Sequence, residues 1–484
     1  MADLETSPSL GVLPAGPKSA APSASLEGAE EPVQHPQRWF IFGIVATAMM
    51  MGSLDQTVVA TALPTLHKVL HSPINWVGWT VTTYQLGQVI AMPVAGRISD
   101  QFGRKRVFVT CVALFAVSSL MCGLADNIQM LIVFRGIQAL GAGAFMPSAT
   151  GIVADHFGRD RDRGIGLFTS IVPIGSLLGP VVGGVIIYYW EWRGVFLINL
   201  PIAAVVFVLA IVVIPKSKPK EVVRADLLGI AMLVATILPL MFAITMLGNG
   251  NTTLLSPVVL VPGLVAIGVG YVFIRRSLRI EAPIIPLPLL RTRAFATMNF
   301  ISFMYGGCVL GFGALVPLYA EDRYHFASIQ AGTLLTARGV GALCLAATST
   351  YLLRRTGYRL PMVVGFSLAA FGMLMLGFGA HDVTPYVWLA FAAAIMGLGN
   401  GIAAPATNNA TLSFAPGEVA SIAGLRGMFR QIGAIVAISV TTAIVARSHH
   451  PGIQLGHSFM AFAVIVFFVV IPLVFTVPNR RGTW

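Results

Sequence analysis

Asp55 and Arg135 are ionisable residues set inside long apolar stretches, where a charge is costly unless it pairs or titrates. Asp55 follows Trp39 by 16 residues. At about 1.5 Å per helical residue it sits about 24 Å into its segment, in the outer third of a hydrocarbon layer about 30 Å thick. Arg135, measured from the opposite end of its own segment, lies about 10 Å inward, so the two share a depth. A neighbouring guanidinium favours the carboxylate and desolvation favours the acid. An environment alternating between the two would load and release a proton. A permanent ion pair, or an aspartate hydrogen-bonded to Ser53 or Thr57, fits the same spacing.

Polar groups interrupt other apolar stretches. Tyr84, Gln85, Gln88, Asn299, Tyr305, Asn408 and Gln431 are candidates to line a central cavity. Arg338 and Arg430 fall near mid-depth, and Arg426 lies one helical turn from Arg430, so the interior carries a surplus of arginine over its one deep carboxylate, Asp55. If these arginines face the cavity, its field favours anionic, zwitterionic or neutral amphipathic cargo. The alternative places them at helix interfaces or the cytoplasmic gate.

Two further patterns suggest moving parts. From Arg97 to Arg106 the chain reads as a short basic turn containing Arg97, Asp100, Arg104 and Lys105, with Gly96 and Gly103 permitting close turning. Asp100 can accept hydrogen bonds from a neighbouring helix N-terminus or pair with arginine across a closing interface, which would be a conformational latch. The same charges would also serve to anchor the turn to anionic lipid headgroups. Gly175, Gly179 and Gly183 recur every four residues, share one helix face and let a second helix approach. Pro180 adds a bend beside them, and Gly184 extends the small surface. That surface would seal an interface between moving halves or simply pack a helix.

The elements that must hold these residues are membrane helices. Of 484 residues, 56% are hydrophobic and 10% charged, with a mean hydropathy of +0.81, which excludes a soluble enzyme. At about 20 apolar residues per crossing, we count 14 candidate spans. The net charge of +12 is explained by position: 19 basic residues fall in turns after even-numbered spans and 4 in turns after odd-numbered ones. By the positive-inside rule both termini are cytoplasmic, and no nucleic-acid partner is needed. Cys111, Cys122, Cys308 and Cys344 lie in spans without the spacing of a metal site or redox pair.

The expected organisation is a disordered cytoplasmic tail over 1–37, a six-helix half over 38–214, a linker over 215–226, two inserted helices over 227–275, an interfacial linker over 276–294, and a second six-helix half over 295–480. The halves read as repeats: the turn at Leu353 to Arg359 matches that at Gly96 to Arg106, with Gly357 lying 254 residues after Gly103, and the same offset carries Gly179 to Gly433.

On these motifs the chain resembles the major facilitator superfamily, and within it the 14-span drug:proton antiporters of the EmrB/QacA type. Gly96, Arg97, Asp100, Gly103, Arg104, Lys105 and Arg106 fit the superfamily's loop motif. Leu54, Asp55, Thr57, Ala62, Leu63 and Pro64 fit the first-span motif of such exporters. Arg135, Gln138 and Gly141 fit the fourth-span motif, with Ala139 in place of its usual glycine. Gly175, Gly179, Pro180, Gly183 and Gly184 fit the antiporter motif of the fifth span, and Trp192, Arg193, Phe196, Asn199 and Pro201 match the sixth.

The resemblance implies an all-α polytopic protein of the major facilitator fold, with Asp55 and Arg135 handling protons. The expected function is proton-coupled export of amphipathic drugs or toxic small molecules across the cytoplasmic membrane, by alternating access and as a monomer. The alternative is a dedicated exporter of an endogenous lipid or natural product. No cofactor or metal is expected beyond the proton gradient, and the chain has no phosphate-binding Gly-x-x-x-x-Gly-Lys-Ser/Thr loop for an ATP-driven pump.

Overall fold

Backbone amides in lipid must find their partners within the protein, which restricts spanning segments to helices or closed barrels. The chain takes the helical solution, and no strand occurs among the described residues. The computed structural model describes residues 36–216, 226–248, 252–280, 283, 285, 290–380, 383–414, 417–477 and 479. Most of the expected tail and linker, residues 1–35 and 217–225, lies outside them, as does part of the expected interfacial segment.

The N-terminal helices are α1 (Arg38–Val69), α2 (Ile74–Phe102), α3 (Arg104–Gly123), α4 (Ile128–Phe157), α5 (Arg161–Thr169), α6 (Ile171–Leu197) and α7 (Asn199–Val213). Next come α8 (Leu227–Gly248) and α9 (Pro257–Ser277). They pack as a hairpin whose ends are tied by Arg276 to Asp226 at 2.7 Å. The C-terminal helices are α10 (Arg293–Gly306), α11 (Gly313–Tyr324), α12 (Ser328–Thr356), α13 (Arg359–Phe378), α14 (Pro385–Leu412), α15 (Val419–Val445), α16 (Pro451–Ile465) and α17 (Ile471–Val474). Wider π turns, Gly307–Phe312 and Val466–Val470, join α10 to α11 and α16 to α17.

Among the described residues, 12 helical stretches are long and apolar enough to cross a membrane, fewer than the 14 expected. Two causes are visible. Thr80, Thr82, Thr83, Tyr84, Gln85 and Gln88 make α2 too polar to count, although it is 29 residues long. The segments from α5 to α7 count as a single stretch, Arg161–Val213, of 53 residues. Its helical backbone breaks at Trp190 and Glu191, where Glu191 turns with φ 60°.

One buried apolar core draws all its members from residues 298–477, while another draws its members from residues 54–198. A third joins α1 to α4 with α8, α9 and the first turns of α15. Thus α15 is the C-terminal helix most engaged with the N-terminal bundle, packing along α2. The repeat register has a physical counterpart. Gly103 and Gly357 both end helices with positive φ, 99° and 72°, the backbone that favours glycine. A Cβ added at Gly179 would meet the Thr57 side chain on α1, and one at Gly433 would meet the Phe303 backbone on α10. Each lies on the fifth-span helix of its bundle and presses on the first.

Candidate functional site

The Asp55 carboxylate is fully buried, and four helices converge on it. From α4, the Arg135 Nη1 donates to its Oδ2 at 2.6 Å. Gln138, one turn along, donates from Nε2 to Oδ1 at 3.2 Å. From α7, the Asn199 amide donates to the same Oδ1 at 2.9 Å. On α3, the Ser119 hydroxyl accepts from both Gln138 and Asn199, at 3.0 and 3.1 Å, and donates to the Phe196 carbonyl at 2.9 Å. Arg135 Nη1 donates as well to the Gln138 side-chain Oε1 at 2.7 Å. Its guanidinium stands 3.8 Å from the centre of the Tyr84 ring, a cation–π contact strengthened by desolvation.

Removing one member of such a buried pair leaves the other uncompensated, a loss of about 3–5 kcal/mol. Chemically the site holds one proton acceptor whose counter-charge is fixed beside it. Ser53 pairs with Ser176 at 3.0 Å, and the Thr57 hydroxyl donates to the Leu54 carbonyl at 3.0 Å. The signal for Gln138 and Asn199 was their place in the fourth- and sixth-span motifs. Ser119 carried no signal, because a mid-span serine is common.

The basic turn joins the two bundles. Asp100 Oδ2 accepts from the backbone N–H and the hydroxyl of Ser421, both at 2.8 Å, at the N-terminus of α15. Arg104 holds the other carboxylate oxygen at 3.1 Å, donates to the Gly151 carbonyl at 2.6 Å and pairs with Asp155, both on α4. Arg97 reaches Glu418, just before α15, at 3.3 Å. Gly96 makes this crossing possible, since a Cβ there would press into the Ala420 and Ser421 backbone. Lys105 donates to the Ile211 carbonyl near the C-terminus of α7 at 2.6 Å, where a cation is favoured.

A counterpart turn meets the opposite bundle. The Tyr358 hydroxyl donates to the Asp162 carboxylate at 3.3 Å, Arg163 donates to the Tyr351 hydroxyl at 2.8 Å, and Asn409 donates to the Asp162 carbonyl at 2.9 Å. Each bundle's short turn therefore docks near the start of the other's fifth-span helix, and the basic end of the molecule is held shut.

The glycine face of α6 packs within its own bundle. Gly175 faces Ser53, Gly179 faces Thr57, and Gly183 faces Val58 and Thr61, all on α1. Gly184 meets nothing within 4 Å, and Pro180 lies inside the helix.

The residues expected to line one cavity are dispersed. Tyr84 belongs to the Asp55 site, Gln88 accepts from Gln56 at 2.8 Å, and Gln85 is half-buried one position from Tyr84. Tyr305 donates to Asn400, joining α10 to α14. Arg338 donates to the Val309 carbonyl in the π turn at 3.0 Å, and Arg430 reaches across to the Met146 sulfur at 3.4 Å. Asn299, Asn408 and Gln431 are buried on α10, α14 and α15. A separate cavity of about 590 Å³, between α12 and α14, is lined by Thr333, Thr336, Val340 and Tyr386 and includes none of the expected residues.

A converging buried ion pair, two bundles docked through paired turns and a wholly helical apolar frame restrict the choice of family. The family model described as Major Facilitator Superfamily matches residues 45–438. The chain belongs to the Major Facilitator Superfamily. A "Multidrug resistance protein B homolog" of Mycobacterium tuberculosis is 30% identical over 410 residues, covering 83% of this chain and 75% of the relative. A "Methylenomycin A resistance protein" of Bacillus subtilis is 28% identical, covering 84% and 87%. The crystal structure of the human organic anion transporter MFSD10 (TETRAN) matches with a TM-score of 0.68 at 15% identity, covering 90% of this chain and 100% of that one. That match shows the fold alone. As a superfamily member the chain is a multi-pass membrane transporter, not an enzyme.

Proposed function

We propose that the protein is a proton-coupled antiporter that exports amphipathic drugs or toxic small molecules from the cytoplasm by alternating access. The observation that carries this reading is the buried Asp55 carboxylate, held by Arg135, Gln138 and Asn199. Protonation of Asp55 would release these donors and loosen the packing of α1 against α4 and α7, linking proton occupancy to helix arrangement. The multidrug resistance relative supports the cargo class.

The basic end faces the cytoplasm in this reading, as the charge of its turns favours, and so do both termini. The chain crosses 14 times, as in the EmrB/QacA type: α2 crosses despite its polar residues, because these face protein, and the 53-residue stretch, about 80 Å if extended as one helix, crosses twice by turning at Glu191. A monomer contains the whole Asp55 site and both docked turns.

The test is energised efflux from pump-deficient bacteria of cationic, neutral and anionic fluorescent amphiphiles. The intact protein lowers accumulation, and both a protonophore and Asp55→Asn abolish the effect. If no panel member moves while the protein is in the membrane, the broad-cargo reading gives way to a dedicated exporter of an endogenous lipid or natural product.

A further inference from the structure

Arg426 is 1% exposed, yet its Nε and Nη1 have no hydrogen-bond partner. A buried guanidinium with donors left unsatisfied is among the costlier arrangements in a folded protein. Arg430, one turn along α15, leaves its Nε without a partner and spends Nη2 on a thioether, a weak acceptor. Asn408, fully buried on α14, leaves both polar side-chain atoms without partners, and Asn299 on α10 leaves its carbonyl oxygen so.

These groups share a level. Arg426 lies seven residues into α15 from the basic end, Asn299 six into α10, and Asn408 four before the end of α14; at about 1.5 Å per residue all stand about 6–10 Å inside. The three helices pack on one another. Among the described residues, no carboxylate of the C-terminal bundle is placed to neutralise them. Between 295 and 477 the acidic residues are Glu321, Asp322, Asp382 and Glu418; the first two end α11 at the far side, Glu418 is engaged by Arg97, and Asp382 lies outside the described residues. Arg430 points across the interface to Met146 of α4, so parting of the bundles at the basic end would open this level to the cytoplasm.

We propose that Arg426 and Arg430, with Asn408 as a neutral donor, form a subsite for the oxyanionic head, a carboxylate, sulfonate or phosphate, of an exported amphiphile. Planar guanidiniums suit such groups because their donors match two oxygens at once. The subsite rests on the export reading and narrows its cargo to molecules with a negative head and an apolar body. It sits in the opposite bundle from Asp55, so cargo charge and proton are handled by separate groups.

The test measures binding, without a gradient, to the purified full chain in phosphatidylcholine nanodiscs, using fluorescein as the anionic probe and ethidium as the cationic one. Compared with the intact protein, fluorescein binds at least tenfold more weakly after Arg426→Gln or Arg430→Gln, Arg426→Lys falls between because it keeps the charge but loses the two-oxygen fork, and ethidium binding is unchanged by all three. The melting temperature without ligand is unchanged or raised in Arg426→Gln, because an uncompensated charge has been removed; a purely structural arginine would give a fall. A lowered melting temperature with unchanged fluorescein affinity overturns the proposal. If Arg426→Gln does not fold, Arg430→Gln carries the test alone, since that side chain is only half-buried. Displacement of fluorescein by phosphatidylglycerol added to the nanodiscs assigns the site to lipid phosphate and overturns the cargo assignment. Binding without gradient-driven transport would sink the export reading and leave the subsite standing, whereas proton-driven export of ethidium without fluorescein binding would do the reverse.

Discussion

At the scale of single residues, the Asp55 site predicts different failures for its two charged members. Asp55→Asn keeps the shape and the Asn199 contact but leaves the buried Arg135 guanidinium without its counter-charge, so the melting temperature should fall, and the protein that reaches the membrane should show no proton-driven efflux. A variant that still exports against a concentration gradient would remove Asp55 from the coupling step. Arg135→Ala leaves the carboxylate buried and uncompensated, at about 3–5 kcal/mol, and should show as a large drop in melting temperature in detergent. Matched depth made this pair legible, because position along a helix converts directly into distance across a membrane. Gln138, Ser119 and Asn199 were not legible as partners, since uncharged amides and hydroxyls occur in spans for many reasons and nothing in their spacing says which of them meet.

At the scale of helices, α6 tests whether its glycines act by permitting contact. A Cβ at Gly179 would meet Thr57 of α1, with its Cβ 2.6 Å away, while one at Gly184 meets nothing within 4 Å. Alanine at Gly184 should be neutral or stabilising by up to about 1 kcal/mol, from helix propensity alone. Alanine at Gly179 should destabilise the protein by forcing α1 and α6 apart. Equal melting temperatures for the two would show that close approach is not what Gly179 provides. The four-residue repeat identified a contact face, but not its partner: sequence left open a seal between moving halves or ordinary helix packing, and the face is turned to α1 in the same bundle.

At the scale of the whole molecule, the turns of the basic end set which side is shut. Asp100 makes two charge-assisted hydrogen bonds to Ser421, each worth about 1.5–3 kcal/mol, enough to bias two arrangements of the bundles by a large factor. Asp100→Ala should therefore shift the population toward an opening at the basic end. Spin labels at Phe102 and Arg355, on the turns of the two bundles, should report a larger fraction of long distances, and an unchanged distribution would deny the latch. The Arg97–Glu418 pair is partly exposed, so salt should weaken its share and leave the buried Asp100 contacts intact.

The sequence by itself determined that the chain is a bundle of membrane helices, that its two ends repeat one pattern, and that Asp55, Arg135 and the basic turn are special. It could do so because hydropathy, helical rise and the cost of buried charge are local properties that each segment carries alone. Only the tertiary structure decided which donors surround Asp55, that Asp100 receives the start of α15, and that Arg426 is buried with its Nε and Nη1 unpartnered. These depend on the rotation of each helix about its axis, and that is fixed by the packing of neighbours far apart in the chain.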